Sequence, residues 1–399
     1  MGWRNNNAAT VLTTEKIAAI IIVTILNIFM LIGNTVSIVT IVKTPSLRNQ
    51  TYYWFVLNLA IVDLVNSMTV VPIHTVWEAH GPWPFGQVFC NFVIFLDMAF
   101  SALASYSTVL VSLDKFVCIT KPFLYHHNNA SMAAIISVIA VWVVWLTFSA
   151  ISVFAGIARD PFLDRNLTYR MDPCNFVMTD SYAISSAIVS FFIPLIIIVF
   201  TSIKIVCVVK RHICRIAANK LSPILDDISS GNDRTPQKGT EGSQLSIIFT
   251  RKLQQTTNAS QTCDISQSVT TESTSSKRLS KGFHPHRRTF PLCRAFGTVM
   301  IVTVFFILMF APYWFAAIID VGCNCIPTYI FEDYLMVFYY MHSLVNPYIY
   351  MATDRRYKKA IGSCPGSLPQ LLKVYAVLDD MFGHLFCFST GAHGRRYQP

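Results

Sequence analysis

The sequence predicts an all-α protein: a seven-transmembrane helix bundle with a short amphipathic helix after the last span. Of the 399 residues, 53% are hydrophobic and 13% are charged, which is about half the charged fraction of a soluble domain. Seven stretches are long and apolar enough to cross a bilayer, and most basic residues fall on one side of the membrane that these stretches define. This composition excludes an ordinary soluble enzyme.

The seven spans follow from length and hydrophobicity. A helix that crosses about 30 Å of hydrocarbon needs about 20 mostly apolar residues. Stretches of this kind run from Ile17 to Val42, Tyr52 to Val76, Val88 to Ile119, Met132 to Phe154, Tyr182 to Val209, Cys293 to Ile319 and Thr328 to Met351. The first stretch contains no small-residue cleavage site, so we interpret it as a retained span rather than a signal peptide.

Basic residues set the predicted orientation. All but five of the 31 Lys and Arg lie in or beside the connections after spans one, three and five, or in the tail, and basic loops stay in the cytosol. We therefore expect an extracellular N-terminus (1–16), a membrane domain (17–351) and a cytosolic tail (352–399) of a plasma-membrane protein. The net charge of +10 then reflects topology, and no nucleic-acid partner is predicted.

Two cytosolic segments have their own composition. Residues 217–281 are rich in Ser, Thr, Gln and Asn and are predicted to form a disordered third cytosolic loop, because they bury little apolar surface. After the seventh span, Asp354 to Ala360 reads as an amphipathic helix with its bases toward anionic membrane lipid. Cys364 is a palmitoylation candidate, and an unmodified thiol fits the sequence equally well.

Three carboxylates lie at membrane depth, where ionisable groups are costly and indicate function. They are Asp63 in span two and Asp97 and Asp114 in span three. Asp97 and Asp114 are 17 residues apart, about 25 Å along a helix, so they cannot belong to one site. We place Asp97 toward the outside and Asp114 at the cytosolic edge.

The motifs around these residues resemble those of rhodopsin-like (class A) G-protein-coupled receptors, in the biogenic-amine branch. The matching features appear in order along the chain: Gly33-Asn34, Leu57-Asn58-Leu59-Ala60 with Asp63, Trp83-Pro84-Phe85-Gly86 with Cys90, Asp114-Lys115-Phe116, Trp142, Pro194, Phe306 to Pro312 and Asn346-Pro347-Tyr348-Ile349-Tyr350. Features similar to muscarinic acetylcholine and histamine receptors occur as well, including Cys323-Asn324-Cys325 and Leu47-Arg48-Asn49. An opsin is disfavoured because span seven has no lysine for a Schiff base.

The resemblance implies a pocket for a small cationic amine, with Asp97 as the counter-ion. Asp97 has an alternative role, in which it pairs with a lysine or with water. The aromatic candidates Tyr313, Trp314 and Tyr340 have plain packing as their alternative. For Ser186 and Ser190 of span five, the alternative is a hydrogen bond to their own backbone. Met98 and Met336 stand where the muscarinic pattern has tyrosines. The remaining ligand-contact candidates are Met98, Ser101, Ser186, Ser190, Tyr313, Trp314 and Tyr340.

The resemblance also implies a conformational switch. Its candidate residues are Asp63, Asp114, Lys115, Phe310, Pro312, Asn346, Pro347 and Tyr350. Asp63, Ser343 and Asn346 would hold sodium in relatives; Ala104 removes one hydroxyl, so a hydrogen-bond network without sodium is the alternative. Lys115 replaces the usual arginine, Leu292 the usual acidic partner, Phe310 the usual tryptophan and Ser202 the usual tyrosine, which predicts weakened restraints on both receptor states.

The resemblance implies a disulfide between Cys90 and Cys174, in an oxidising exterior. A second bridge between Cys323 and Cys325 is the other possibility in the outer loops, with free thiols as its alternative. Asn166 is the glycosylation sequon that faces outside under the predicted topology.

The expected function is that of a cell-surface receptor that binds a small cationic amine and activates a heterotrimeric G protein, with arrestin and receptor kinases as further partners. No cofactor beyond the sodium ion and no enzymatic activity are expected. Lys115, Phe310 and Ser202 motivate the alternative of a receptor-like protein with weak or absent G-protein coupling, acting as a scavenger or interaction partner. A seven-helix transporter is disfavoured, since the sequence lacks repeated halves.

Overall fold

The computed structural model describes residues 14–80, 83–121, 130–158, 174, 179–229, 286–323, 325–326 and 330–362. The described part of the chain is helical, in agreement with the predicted all-α class. Its α-helices are α1 (Thr14–Lys43), α2 (Pro45–Arg48), α3 (Thr51–Met68), α4 (Val70–His80), α5 (Gly86–Thr120), α6 (Ala130–Phe154), α7 (Asp180–Ala187), α8 (Ile193–Ser229), α9 (His286–Cys323), α10 (Met336–Thr353) and α11 (Arg355–Gly362).

These helices make up the predicted spans. Helices α3 and α4 together form span two, and α7 and α8 form span five through a π-helical turn at Ile188–Phe192. A second π-helical turn, Ile330–Leu335, precedes α10. Spans one, three, four, six and seven are α1, α5, α6, α9 and α10.

Six helical segments of the described chain, those of spans one to six, are long and apolar enough to cross a membrane. Helix α10, the predicted seventh span, is less apolar because it carries His342, Ser343, Asn346 and several tyrosines. These polar residues are buried. The seventh span can therefore be less hydrophobic than the others, because its polar side chains face the interior of the bundle rather than lipid.

The third cytosolic loop is shorter at its start than predicted. Residues 217–229 were expected to be disordered, whereas α8 continues to Ser229. The sequence of this stretch explains the difference, since Leu221, Ile224, Leu225 and Ile228 recur at the spacing of an amphipathic helix. Residues 230–285 lie outside the described part of the chain.

The described chain divides into two compact units. One comprises residues 1–202 and 297–399 and contains the described residues of spans one to four and seven with part of spans five and six; the other, residues 203–296, contains α8 from Ile203 onward and the beginning of α9. In the first unit, spans one, two, three and four pack in sequence, and span one also packs on span seven. Gly33 permits this last contact, because a Cβ there would lie 3.3 Å from Cγ of Pro347.

A buried hydrogen-bond network joins spans two, three and four. The side-chain amide of Asn58 donates to Oγ of Ser107 at 2.7 Å, and the indole Nε1 of Trp142 donates to Oδ1 of Asn58 at 2.7 Å. Hydrocarbon offers no hydrogen-bond partner, so these polar groups must be satisfied within the bundle. Asn58 is thus the residue that fixes three spans to one another.

The predicted amphipathic helix after the last span is confirmed as α11. Its buried residues are Tyr357, Ala360 and Ile361, and its exposed residues are Arg355, Arg356, Lys358 and Lys359. Burial raises the pKa of the Tyr357 phenol, so the hydroxyl stays protonated and donates to Oγ of Ser37 at 2.6 Å. Tyr53 donates to Asp354 at 2.7 Å just before the helix begins, and the two bonds fix α11 to spans one and two.

Replacing Asn58 by alanine is expected to destabilise the protein by about 1 kcal/mol or more, because Trp142 Nε1 and Ser107 Oγ lose their partner in a buried site. Thermal unfolding of the purified protein measures the effect. Ile61→Ala on the same span is the control, since Ile61 is exposed at the bundle surface. Equal unfolding temperatures for Asn58→Ala and Ile61→Ala would contradict the assigned role of the network.

Candidate functional site

A cavity opens among spans three to seven. The space that it encloses, together with open solvent at its mouth, is about 560 Å³. Its wall is apolar and aromatic with a few polar groups. The lining residues are Asp97, Met98, Ser101, Ala102, Trp145, Phe148, Ser149, Tyr182, Ser186, Ser190, Tyr313, Trp314, Met336 and Tyr339.

Asp97 provides the carboxylate of this cavity. Tyr340 donates its hydroxyl to Oδ1 of Asp97 at 3.1 Å, and Oγ of Ser101, one turn further along span three, lies 3.5 Å from the same oxygen. In the part of the chain that the structure describes, Asp97 forms no ion pair with a lysine or an arginine. The Asp97 carboxylate is therefore oriented by neutral hydroxyl groups and pairs with no lysine or arginine of the described chain.

His74 is a neighbour of this carboxylate that the sequence reasoning missed. Its ring centroid lies 5.9 Å from that of Tyr340, and its imidazole is close enough to interact electrostatically with Asp97. The signal was available in the sequence, because His74 is an ionisable residue in the outer half of span two. The rule that selected Asp63 and Asp97 applies to it equally.

The two candidate serines of span five differ in their bonding. Ser186 donates its hydroxyl to the carbonyl of Ala183 at 2.9 Å. Its proton is therefore engaged with the backbone, as in the alternative interpretation, while its oxygen remains able to accept a hydrogen bond from a ligand. Ser190 lies in the π-helical turn, and both serines line the cavity. Between this wall and span three, Tyr182 points its hydroxyl at the sulfur of Met98, 3.7 Å away.

The aromatic candidates lie in two positions. Tyr313 and Trp314 line the cavity, and the span-seven tyrosine beside them is Tyr339, with its ring centroid 4.9 Å from that of Tyr313. Tyr340 is behind the wall, bonded to Asp97. The sequence did not single out Tyr339, since neighbouring residues on a helix differ by about 100° and one tyrosine cannot be distinguished from the next without the packing.

The central cluster gathers around Asp63, which is fully buried. Ser343 donates to its Oδ1 and Asn346 to its Oδ2, both at 2.9 Å. Asn34 donates to the carbonyl of Ser343 at 3.1 Å. The structure thus brings Asp63, Ser343 and Asn346 together with Asn34 beside them. His342, which was not predicted, joins this cluster with Nε2 at 3.7 Å from Oδ1 of Asp63.

Phe310 lies between the cavity wall and this cluster. It is 1% exposed, with ring centroids 4.7 Å from Phe306, 5.0 Å from Tyr339 and 4.5 Å from His342. Pro312 follows two residues later in the same helix, α9. The Phe310 ring thus occupies the position where the resemblance implies a tryptophan. It contacts Tyr339 of the cavity wall on one side and His342 of the central cluster on the other.

At the end of span three that was predicted to be cytosolic, the contact differs from the one that the resemblance implies. The ammonium of Lys115 lies 3.2 Å from the centre of the Tyr52 ring, and this ring meets that of Tyr350 edge to face at 6.4 Å. Asp114 is buried beside Lys115. The side chain of Leu292 is outside the described part, and Ser202 forms a buried hydrogen bond of 2.7 Å with Thr303.

Two disulfides lie within the described residues. Cys90 is bonded to Cys174 and Cys323 to Cys325, as predicted for the first pair and as one of two alternatives for the second. Both Cys90 and Cys174 are fully buried and pack with Trp83 and Val93. The sequon at Asn166 and the palmitoylation candidate Cys364 lie outside the described residues.

These features define a class of protein. The chain matches the family described as 7 transmembrane receptor (rhodopsin family) over residues 33–350. It belongs to this receptor family, which agrees with the expected multi-pass membrane protein without enzymatic activity. The match extends through α10, so the seventh span is included.

Among its relatives, the chain is similar to dopamine and adrenergic receptors. It is 30% identical to the D(1A) dopamine receptor of Xenopus laevis over 52% of this chain and 48% of that receptor, and 31% identical to the D(1A) dopamine receptor of Didelphis virginiana over 47% of this chain and 43% of that receptor. Similarity to the alpha-1A adrenergic receptor of Oryzias latipes is 26% over 90% of this chain and 70% of that receptor. The chain spans about half the length of the dopamine receptors that it matches.

Lys115 and Tyr52 are expected to be coupled by about 0.5–2 kcal/mol, the range of a cation–π pair. The test is a double-mutant cycle with Tyr52→Leu and Lys115→Gln, measured by thermal unfolding. Tyr52→Phe is the matched control, because the Tyr52 hydroxyl has no hydrogen-bond partner in the described structure and the ring is retained. Additive losses from Tyr52→Leu and Lys115→Gln would show that the contact contributes nothing.

Proposed function

We propose that this protein is a cell-surface receptor that binds a small protonated amine from outside the cell and activates a heterotrimeric G protein. The observation that carries the proposal is the Asp97 carboxylate, which borders the cavity, accepts a hydrogen bond from Tyr340 and pairs with no lysine or arginine in the described chain. Membership in the rhodopsin family and similarity to dopamine and adrenergic receptors support it.

The carboxylate favours a cation over a neutral ligand. An ammonium group that enters the cavity gains a charge-assisted hydrogen bond and a Coulomb attraction that is little screened in a site with apolar walls. A neutral ligand of the same shape would desolvate Asp97 without pairing it, which costs free energy. The Tyr340 hydroxyl contributes by keeping Oδ1 of Asp97 in a fixed position, so less orientational freedom is lost on binding.

The remaining wall would recognise the body of the ligand. Tyr313, Trp314 and Tyr339 offer aromatic faces, each worth about 0.5–2 kcal/mol to a cation placed over the ring. Ser186 and Ser190 offer hydroxyl oxygens at the span-five side. An amine that carries a ring with a hydrogen-bonding substituent fits this distribution of charge, aromatic surface and hydroxyls.

The orientation of the receptor is inferred from charge. Along the chain, basic residues lie at or after the ends of spans one, three and five, and the exposed bases of α11 follow the last span. Those at or after the ends of spans one, three and five include Lys43, Arg48, Lys121, Lys204, Lys210 and Arg211. Basic residues beside membrane edges mark the cytosolic side. This argument supports an extracellular N-terminus, an outward-facing cavity at the plasma membrane, and contact of α11 with anionic lipid.

Signalling would follow from a population shift. An amine that binds one receptor conformation more tightly than another shifts the equilibrium toward it by its difference in affinity. The cytosolic ends of spans three and seven, with Asp114, Lys115 and Tyr350, would report this shift to a G protein. Arrestin and receptor kinases are the further partners that we propose on the family resemblance.

The alternative function is a receptor-like protein that binds its ligand without driving a G protein. The contact of Lys115 with Tyr52 favours it, because a lysine engaged with an aromatic ring lacks the planar fork with which an arginine reaches several acceptors. Agonist-stimulated nucleotide exchange on purified G protein separates the two functions. We expect exchange to rise with agonist; binding that leaves the exchange rate at its basal value would establish the alternative.

Asp97→Asn is expected to lower the potency of an activating amine by at least about 30-fold, since truncating one partner of a buried charge pair costs about 2–5 kcal/mol. Surface expression should be unchanged, because asparagine retains the size of the side chain. The measurement is a concentration–response curve for second-messenger output in cells, recorded over a panel of monoamines and acetylcholine.

Asp180→Asn is the matched control for this experiment. Asp180 begins α7 and is exposed, so its neutralisation should leave potency within about twofold of the native protein, the effect of a surface charge. An Asp97→Asn receptor with native potency toward its activator would exclude the amine as the ligand class. The rhodopsin-family assignment would remain.

A further inference from the structure

Asp63 is a carboxylate with 0% exposure in the middle of a membrane-spanning bundle. A charge in such a place requires a compensating partner, since a carboxylate that is desolvated without one is strongly destabilising. Ser343 and Asn346 each supply one hydrogen bond. The basic side chain that faces the carboxylate is that of His342, and nothing in the amine-binding proposal uses it.

The imidazole of His342 is fixed at both nitrogens. Nδ1 lies 2.5 Å from the carbonyl oxygen of Tyr339, and because a carbonyl can only accept, Nδ1 carries a hydrogen. Nε2 lies 3.2 Å from Oγ of Ser343 and 3.7 Å from Oδ1 of Asp63. The ring is also packed against Phe310, with 4.5 Å between centroids. It therefore has one well-defined place, directly against the oxygens of the cluster.

This arrangement does not fit the sodium ion that the resemblance implies at Asp63, Ser343 and Asn346. A hard cation takes several oxygen ligands at short distance. In this chain the Asp63 and Ser343 oxygens face an imidazole nitrogen, and Oδ2 of Asp63 is bonded to the amide nitrogen of Asn346. Ala104, buried in span three, has no oxygen to add to the set.

We propose that His342 takes the place of the metal ion as the permanent partner of Asp63, so that the stability and ligand affinity of this receptor do not depend on sodium. The side chain is covalently part of span seven, whereas an ion can leave. The inference does not rest on the identity of the ligand, and it is tested without one.

The first test compares salts on the purified full-length receptor. Thermal unfolding is recorded in NaCl, KCl and N-methylglucamine chloride, each at about 0.15 M so that screening is equal. We expect the same unfolding temperature in all three salts. A rise in NaCl alone of about 2 °C or more, the shift expected from an ion bound to the folded state, would overturn the proposal.

The second test asks whether the imidazole is what excludes the ion. The double variant His342→Asn with Ala104→Ser replaces the ring by an amide oxygen and adds the hydroxyl that span three lacks. Its unfolding temperature is expected to rise by about 2 °C or more in NaCl relative to KCl. Should this variant remain indifferent to sodium, the claim that His342 occupies the place of the ion would be wrong.

Ala104→Ser alone is the control, because it adds the hydroxyl and retains the imidazole. It should unfold at the same temperature in NaCl and KCl, and a sodium-specific rise in this variant would assign the exclusion of the ion to Ala104 rather than to His342, against the proposal. The salt comparison on the native receptor decides the sodium question even if the double variant fails to fold. If the salt results are as expected but no amine activates the receptor, the proposed function is wrong and the assignment of His342 stands.

Discussion

The structure depends on one constraint: a polar group inside hydrocarbon has to find its partner within the protein. In the described chain this constraint ties spans together at Asn58, which binds Ser107 and Trp142, and at Asp63, which binds Ser343 and Asn346. The polar residues that reduce the hydrophobicity of the seventh span are therefore the ones that hold it in the bundle. Buried polar side chains of this kind are explained by the hydrogen bonds with which they hold spans together. A polar side chain that borders a cavity instead requires a different explanation.

Asp63 and Asp97 show this contrast within one molecule. Both are carboxylates at membrane depth with a histidine nearby, but Asp63 receives two hydrogen bonds at 2.9 Å, whereas Asp97 receives longer bonds of 3.1 and 3.5 Å and borders a cavity. Groups of the protein offset the cost of burying the Asp63 charge. In our proposal, a bound ligand would offset that cost for Asp97. The difference in bonding, more than the presence of an acidic residue, separates a carboxylate that holds the helices together from one that is a candidate for ligand binding.

Much of the fold could be predicted from the sequence, because membrane thickness imposes a length and a composition on each span. The limits of prediction lie where packing decides. Residues 217–229 read as polar loop by composition, yet their apolar spacing continues α8 to Ser229. For the site, the sequence indicated which residue types on which spans could line a cavity. It named Tyr340 as a wall residue, whereas Tyr339 lines the cavity and Tyr340 bonds to Asp97, because the rotation of span seven about its axis decides which tyrosine faces inward. The histidines His74 and His342 were identifiable as ionisable residues in spans, but their partners belong to other helices and are not encoded locally.

The position of His342 bears on how the two ends of the receptor communicate. Tyr339 lines the cavity and its carbonyl accepts from His342, and His342 faces Asp63. Further along the same helix, the Tyr350 ring contacts the Tyr52 ring, over which the Lys115 ammonium lies. These two sets of contacts share one helix, but that alone does not establish energetic coupling, which requires an element with two arrangements that both sites bias. Span seven is the candidate for that element, since it contributes to the cavity, the central cluster and the cytosolic contact. A side chain anchored in span seven makes the central cluster respond to movement of that helix, whereas a mobile ion would make it respond to the salt outside.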